Sequence, residues 1–289
     1  MRQITPFEEY KELGQDLGTN TVIFKREDLH PLGSHKGRSL PVMIQYYLDQ
    51  GKKKFVISGS GNASIASQRY INSLGRDDIE LQIYVGNRID LKKFEQIKES
   101  ESDIVKVYKK DRPLQALTVA VQEGYTSLRQ STDDIALIGY KSLADEIINI
   151  GDVSSVFMGT SSGTTAQALA KEFIERKTGI QVHIVQTSSC HPLIDDLGAF
   201  EYINEDSIAK AIVDLVASRK EKLIPLIDKS GGRGWYATNE KIDFAIQKVK
   251  EFTRLNISTN SALSVVGLLE AIYDGYEIGD KPLCMICGQ

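Results

Sequence analysis

One lysine in this sequence stands where its neighbours leave it open to a ligand. Lys36 lies within residues 31–38, and Gly33, Ser34 and Gly37 beside it are all small. Small neighbours let a ligand approach closely, and the helix predicted to follow adds the positive end of its dipole. Such a position suits a lysine that attacks a carbonyl carbon. The alternative interpretation is a surface lysine in a glycine-rich turn.

A second segment combines glycine with small polar residues where a predicted strand, 55–58, gives way to a predicted helix, 65–74. Its central residues are Ser60, Gly61, Asn62 and Ala63. Free amides and hydroxyls at such a junction bind a carboxylate, and Asn62 would either cap the helix or reach a ring oxygen of the ligand. The third glycine of a dinucleotide fingerprint is missing, which argues against a nicotinamide enzyme.

A third segment follows the predicted strand 153–158 and precedes the predicted helix 165–177. It consists of Gly159, Thr160, Ser161, Ser162, Gly163 and Thr164. The amides of such a turn converge on one phosphate, and the hydroxyls add further donors, so the segment suits a phosphate monoester. It lacks the Gly-Lys-Ser/Thr ending of a P-loop, which argues against a nucleoside triphosphate bound with Mg²⁺.

Taken together, the three segments predict one cofactor. A reactive lysine, a loop for a carboxylate and a loop for a phosphate are the attachments that pyridoxal 5'-phosphate and its amino-acid substrate require. We therefore expect a pyridoxal phosphate enzyme that acts on a small amino acid.

The order and spacing of these segments resemble the tryptophan synthase β-like superfamily of pyridoxal phosphate enzymes, called fold type II, and within it the threonine synthase group. Gly-Ser-His-Lys-Gly-Arg at 33–38 resembles the segment with that family's Schiff-base lysine, and 60–63 resembles its Ser-Gly-Asn loop. Residues 139–143 and 159–164 resemble the helix before its phosphate-loop strand and the phosphate loop itself. The likeness extends over almost the whole chain.

The resemblance implies a role for each site residue. Lys36 would carry the cofactor as a Schiff base and then move the substrate's α-proton. Asn62 would contact the phenolic oxygen of the cofactor, and residues 159–164 would bind its phosphate. Cys287, at the end of the last predicted strand, would face the pyridine nitrogen. A neutral partner there favours elimination at the side chain over transamination. Residues 60–63 would bind the substrate carboxylate.

Further residues bear on the branch of the family. The chain resembles threonine synthases at Gln186, at Cys190 and over the stretch 230–232. A lyase of that kind is therefore the preferred hypothesis. Cys287 followed by Gly288 looks more like the serine and threonine ammonia-lyases, and a cysteine synthase type of β-replacement is a further alternative. Gly37 and Thr259 depart from the threonine synthase pattern, and they motivate a third alternative, a non-catalytic relative that binds a metabolite.

Apolar β-rich runs alternate with helix-period runs along the chain, which predicts an α/β fold of parallel strands and crossover helices. The resemblance implies two lobes, each with a mostly parallel twisted sheet flanked by helices. The smaller mobile lobe would comprise 40–125 and carry the substrate-carboxylate loop, and 1–39 with 126–289 would form the larger cofactor-binding lobe. Strands are predicted at 21–24, 55–58, 81–85, 104–108, 153–158, 182–186 and 283–287.

Composition excludes several classes of function. The 289 residues carry a net charge of -4, which offers no basic field for nucleic acid. No apolar stretch approaches the roughly 20 residues that cross a bilayer, and no signal or transit peptide is expected. Three cysteines fit a reducing, cytoplasmic compartment. The four histidines show no metal-ligand spacing, so no metal is predicted. The family resemblance implies a homodimer.

Overall fold

The structure, a computed structural model, describes residues 4–59, 61–87, 89, 91–195 and 206–288. Internal contacts divide the chain into two units. Unit 1 comprises Met1–His30 and Tyr140–Gln289, and unit 2 comprises Pro31–Gly139. Each unit has its own sheet and its own hydrophobic core.

Strands and helices alternate along the described residues, as the sequence pattern predicts. The strands are β1 (Phe7–Tyr10), β2 (Val22–Arg26), β3 (Lys54–Ser58), β4 (Glu80–Gly86), β5 (Val105–Lys110), β6 (Thr126–Ser127), β7 (Ser155–Gly159), β8 (Gln181–Thr187), β9 (Gly234–Ala237) and β10 (Pro282–Ile286). The helices are α1 (Lys11–Leu17), α2 (Lys36–Asp49), α3 (Asn62–Ser73), α4 (Leu91–Lys98), α5 (Pro113–Gln122), α6 (Ile135–Ile138), α7 (Lys141–Ile150), α8 (Thr164–Glu175), α9 (Lys220–Lys229), α10 (Asn239–Thr253) and α11 (Thr259–Tyr273). A short 3-10 helix spans Glu27–Leu29.

Unit 1 contains a six-stranded sheet in the order β1-β2-β10-β7-β8-β9. β1 pairs antiparallel with β2, and every other pair is parallel. Strands β2, β7 and β10 are buried along their whole length or nearly so, as expected of parallel strands covered on both faces. Helix α11 packs on β7 to β10, and its largely buried sequence accounts for its position in the core.

Unit 2 contains a four-stranded, all-parallel sheet in the order β5-β4-β3-β6. Helix α2 packs on α3 and α6, and α5 packs on β3 and β4. The apolar residues of these elements form the core of the unit, with Leu40, Phe55 and Ile83 fully buried. The carboxyl end of β3 leads directly into the loop before α3, so the sheet places that loop at its edge.

The α/β prediction is confirmed, and each of the seven predicted strands is present with its ends shifted by a few residues at most. Strands β1, β6 and β9 were not predicted, because β1 is half exposed, β6 has two residues and β9 has four. Unit 2 is wider than the expected segment 40–125. It includes Lys36, because α2 packs on α3 and α6 of the same unit. That a smaller lobe of the chain moves stays a prediction.

A buried ion pair links β2 to α7 in unit 1. Lys25 is 1% exposed, and its Nζ lies 2.6 Å from Oε2 of Glu146 and donates to the carbonyl of Thr5. Removing one partner of such a pair leaves an uncompensated charge in a dry environment, which costs more than an exposed pair contributes. The neighbouring carboxylate Asp145 makes a more exposed pair with Arg176.

We expect Glu146→Ala to lower the free energy of unfolding by about 3–5 kcal/mol, because it leaves the Lys25 ammonium buried without its carboxylate. Asp145→Ala, the matched control on the same helix, should cost below about 1 kcal/mol, because Arg176 keeps its contact with Glu172. Urea unfolding of both variants measures the difference. Equal losses would contradict the inference, and Lys25→Met combined with Glu146→Leu should restore most of the stability.

His183 is a neutral histidine in the core of unit 1. Its ring stacks on Phe157 at 4.3 Å between centroids, and its Nδ1 accepts hydrogen bonds from Nε1 of Trp235 at 3.1 Å and from the amide of Arg233 at 3.2 Å. Burial lowers the pKa of His183 from 6.5 to about 3. Trp235 is itself 5% exposed on β9.

The lowered pKa of His183 makes the stability of the fold depend on pH. The unfolded chain takes up this proton near pH 6.5 and the folded chain only near pH 3, so acid favours the unfolded state between those values. As the pH falls through that window, the free energy of unfolding should therefore decrease by about 1.4 kcal/mol per pH unit. His183→Gln should remove this slope in urea titrations, and the partly exposed His191→Gln should keep it. An unchanged slope in His183→Gln would assign the effect to another group.

Candidate active site

The predicted phosphate segment forms the turn between β7 and α8. The amide of Thr160 donates to the carbonyl of Val185 at 2.9 Å, which fixes the turn to the neighbouring strand β8. Gly163 caps α8 with a left-handed backbone, φ +79°, and its amide donates to Oγ1 of Thr160 at 3.0 Å. A Cβ at Gly163 would lie 2.5 Å from Cδ2 of Leu223 in α9. Both the conformation and the contact therefore require glycine.

This turn leaves backbone amides without acceptors. Within the described residues, the amides of Ser161, Ser162, Thr165 and Ala166 donate to no protein group, although Thr165 is 6% exposed and Ala166 is fully buried. Buried amides without partners are rare in folded proteins, and at a helix start they favour an anion. With the hydroxyls of the turn, they form a donor set that fits a phosphate monoester.

Side chains outside the turn hold it in place. Gln186 on β8 donates from Nε2 to the carbonyls of Thr160 and Ser161, each at 3.3 Å, and its Oε1 accepts from the amide of Leu193. The hydroxyl of Ser161 accepts from the amides of Val213 and Asp214, both at 3.0 Å. Ser161 is predicted to bind phosphate, and its hydroxyl also fixes the backbone at Val213 and Asp214 to the turn.

A buried arginine stands behind the turn and was not predicted from the sequence. Arg219 is 2% exposed, and it donates to Oγ1 of Thr164 at 3.2 Å and to Oε1 of Gln167 at 2.9 Å. It directly precedes α9 in a charged run, 219–222, which resembles a solvated helix start. Only the packing of α8 on α9 in the folded chain distinguishes Arg219 from a solvated arginine.

Cys287 lies at the same edge of the sheet as the phosphate turn. β10 pairs in parallel with β7, with Cys284 opposite Phe157, so both strands end at that edge. Cys287 is 7% exposed. The carbonyl of Gly288 accepts from the hydroxyls of Ser258 at 2.6 Å and Ser261 at 3.0 Å, which fixes the end of β10 to the start of α11.

Lys36 is the first residue of α2 in unit 2. It is half-buried, and its backbone amide donates to Oγ of Ser34 at 3.3 Å. Within the described part of the chain, its Nζ makes no hydrogen bond or ion pair. Gly33, with φ +92°, lies against α3: a Cβ there would be 2.7 Å from Nη1 of Arg69 and 3.7 Å from Cγ2 of Ile65. The lysine segment therefore contacts α3 about one and two turns after Asn62.

The predicted carboxylate loop starts α3 in the same unit. Gly59 has φ +134°, Gly61 is the N-cap residue and Asn62 is the first helical residue. The sequence predicts that Asn62 either caps the helix or contacts the ligand. Its side chain does not cap the helix, so the contact with the ligand is the alternative that stays a prediction. Among the described residues, the amides of Asn62 and Ala63 have no acceptor, as a carboxylate site requires. Ser60, predicted to belong to this loop, lies outside the described residues.

A glycine fixes the start of α2 within unit 2. A Cβ at Gly139 would lie 2.2 Å from the carbonyl oxygen of Arg38 and 2.5 Å from Cα of Ser39, so the two backbones are in direct contact. The hydroxyl of Ser39 donates to the carbonyl of Ala136 at 2.7 Å and secures the same contact. Gly139 therefore positions the turn of helix that begins at Lys36.

The predicted site residues thus form two groups. Lys36 and the loop before α3 belong to unit 2, and the phosphate turn and Cys287 belong to unit 1. Among the residues that the structure describes, no group of His, Cys, Asp and Glu is placed to hold a metal ion, and no helix is long and apolar enough to cross a membrane.

Comparisons with known proteins agree with this architecture. A threonine synthase from Mycobacterium bovis is 25% identical over 301 residues, which span 98% of this chain and 80% of that protein. A pyridoxal 5'-phosphate-dependent aspartate racemase superposes with a TM-score of 0.84 and 19% identity over 99% of this chain and 90% of its own. A threonine deaminase isoform from Solanum lycopersicum superposes with a TM-score of 0.81 and 19% identity over 98% of this chain and 83% of its own.

A family model described as pyridoxal-phosphate dependent enzyme matches residues 2–288, and it confirms the predicted cofactor and the fold type II architecture. Enzymes of this family act on small amino acids. The chain belongs to the family of pyridoxal-phosphate dependent enzymes.

Proposed function

We propose that this chain is a lyase of the threonine synthase kind, which eliminates or replaces a substituent on the side chain of a small amino acid. The Mycobacterium bovis threonine synthase supports this branch, because the similarity spans nearly the whole chain. The observation that carries elimination or replacement at the side chain, which the threonine synthase branch shares with its lyase alternatives, is the position of the Cys287 thiol at the sheet edge that also holds the phosphate turn.

The residues of unit 1 would hold the cofactor by its phosphate and its ring. The amides of Ser161 and Ser162 and the hydroxyls within residues 159–164 would bind the phosphate, and Cys287 would contact the pyridine nitrogen. No Asp or Glu occurs in 282–288, so the ring nitrogen meets no carboxylate from β10. When bound, pyridoxal phosphate supplies an electron sink for the substrate's α-carbon, and a neutral partner at its nitrogen favours loss of a side-chain substituent.

The residues of unit 2 would act on the substrate. Lys36 would hold the cofactor aldehyde through Nζ until the amino group of the substrate displaces it, and would then take the α-proton of the amino acid, so it would act as both anchor and base. The amides of Asn62 and Ala63, with Ser60 and Gly61, bind the substrate carboxylate. Asn62 also donates to the phenolic oxygen of the cofactor. Closure of the loop over the substrate would exclude water from the proton transfer.

The assembly and the compartment follow the same resemblance. We propose a homodimer in the cytoplasm. The three cysteines, Cys190, Cys284 and Cys287, are all buried and none of them forms a disulfide bond within the described residues, which agrees with a reducing compartment. Burial also raises the pKa of the Cys190 and Cys284 thiols, so these two groups are held in their neutral form.

Lys36 provides the first test of the proposal. Borohydride reduction of the holoenzyme followed by peptide mapping should place the cofactor label on Lys36. Lys36→Ala should lose the label and lower kcat by about 10³-fold or more, because anchor and base are lost together. Lys11→Ala, which removes an exposed lysine at the start of α1, should keep both. A label on another lysine would exclude the proposed role.

Product analysis separates the proposed branch from its alternatives. Incubation with O-phosphohomoserine should release inorganic phosphate and yield threonine at the same rate, since the phosphate leaves Cγ and water adds at Cβ. Serine and threonine should yield no keto acid, and no inverted enantiomer should accumulate. Keto-acid formation without phosphate release would assign the chain to the ammonia-lyases. Inversion of the α-carbon alone would assign the chain to the racemases. Turnover of O-acetylserine with sulfide would assign it to the β-replacement synthases.

A further inference from the structure

Arg219 is held against the first turn of α8 by the packing of α9. Its side chain is 2% exposed, and its Nε and Nη1 donate to Oγ1 of Thr164 and Oε1 of Gln167. Leu223, one turn further along α9, contacts the position of Gly163. The phosphate turn is therefore packed against the helix start that carries this guanidinium.

The guanidinium fixes the direction of its own hydrogen bond with the turn. Arginine has donors and no acceptor, so Oγ1 of Thr164 must accept from it and keeps its own proton to donate. Oγ of Ser162 lies 3.0 Å from Oγ1 of Thr164, so the position of Thr164 also bears on that of Ser162, and either hydroxyl can be the donor in this contact. An ionised phosphate ester offers only acceptors, so a hydroxyl fixed as a donor suits it.

Charge adds to this directional effect. Residues 159–165 include no lysine or arginine, so the turn itself supplies only backbone and hydroxyl dipoles. A phosphate ester carries a charge of about −1.5 to −2 at neutral pH. Arg219 places a full positive charge one hydrogen bond behind Thr164, in a buried region where screening by solvent is weak.

We propose that Arg219 is a positioning residue for the cofactor phosphate: it holds the hydroxyl of Thr164 in place within the turn and adds positive potential to the turn. The proposal rests on the proposed binding of the phosphate by residues 159–164. Arg219 itself need not contact the phosphate, because it acts through the side chain of Thr164.

The test compares the affinities of the full-length protein, freed of cofactor, for pyridoxal 5'-phosphate and for pyridoxal, which lacks the phosphate. Arg219→Met should weaken binding of pyridoxal 5'-phosphate by about tenfold to hundredfold and leave the affinity for pyridoxal unchanged, because only the phosphate uses the turn. Equal losses for both ligands would mean general damage to the fold and would overturn the proposal. Unchanged affinity for pyridoxal 5'-phosphate would overturn it as well.

A second pair of variants tests the route through Thr164. Thr164→Val removes the hydroxyl at nearly the same volume and should reproduce the loss, whereas Thr164→Ser restores the hydroxyl and should recover most of the affinity. The loss in Arg219→Met combined with Thr164→Val should be smaller than the sum of the single losses, because both act on one chain of hydrogen bonds. Additive losses would exclude that chain. Equal affinity of the wild-type protein for both ligands would instead show that residues 159–164 do not bind the phosphate, and the proposed function would then fail at this site.

Discussion

Amide protons without acceptors at the start of α8 are the constraint on which the organisation of unit 1 depends. Four such groups occur at 161–166, two of them in buried residues, and a fold leaves such groups unpaired only where a ligand or water completes them. The parallel pairing of β7 with β8 and β10 holds the turn at the sheet edge. Gln186 and Arg219 then fix its carbonyls and its hydroxyls from two sides. These contacts support the proposal that unit 1 carries a preformed anion site.

Unit 2 applies the same physics to a smaller group. Asn62 and Ala63 present amides at the start of α3, and Gly33 brings the segment of Lys36 against that helix. The Nζ of Lys36 has no partner within the described residues, and the loop amides have no acceptor there. Both would gain partners when a carbonyl compound and a carboxylate bind.

Much of this could be predicted from the sequence, because the relevant signals are local. Short apolar runs followed by small residues identified β3, β7 and both loops, and glycine spacing separated these loops from nucleotide-binding motifs. The roles of Gln186 and Arg219 toward the phosphate turn could not be found in this way. Their partners are 25 and 55 residues distant in the chain, and an arginine in a charged run has no sequence feature that reveals burial. Unit 2 extends beyond the expected segment 40–125 for a similar reason, since the packing of α2 on α6 joins distant segments.

The backbone contact between Gly139 and Arg38 has a consequence for altering this enzyme by directed evolution. Even an alanine methyl at 139 would enter the space of the carbonyl oxygen of Arg38, so adaptation there would have to displace the helix that bears Lys36. Libraries that seek new substrates should therefore keep this codon fixed. Gly139 has ordinary helical dihedral angles, so its conformation alone would suggest that any residue could replace it. The close backbone contact shows that it cannot be replaced without moving α2.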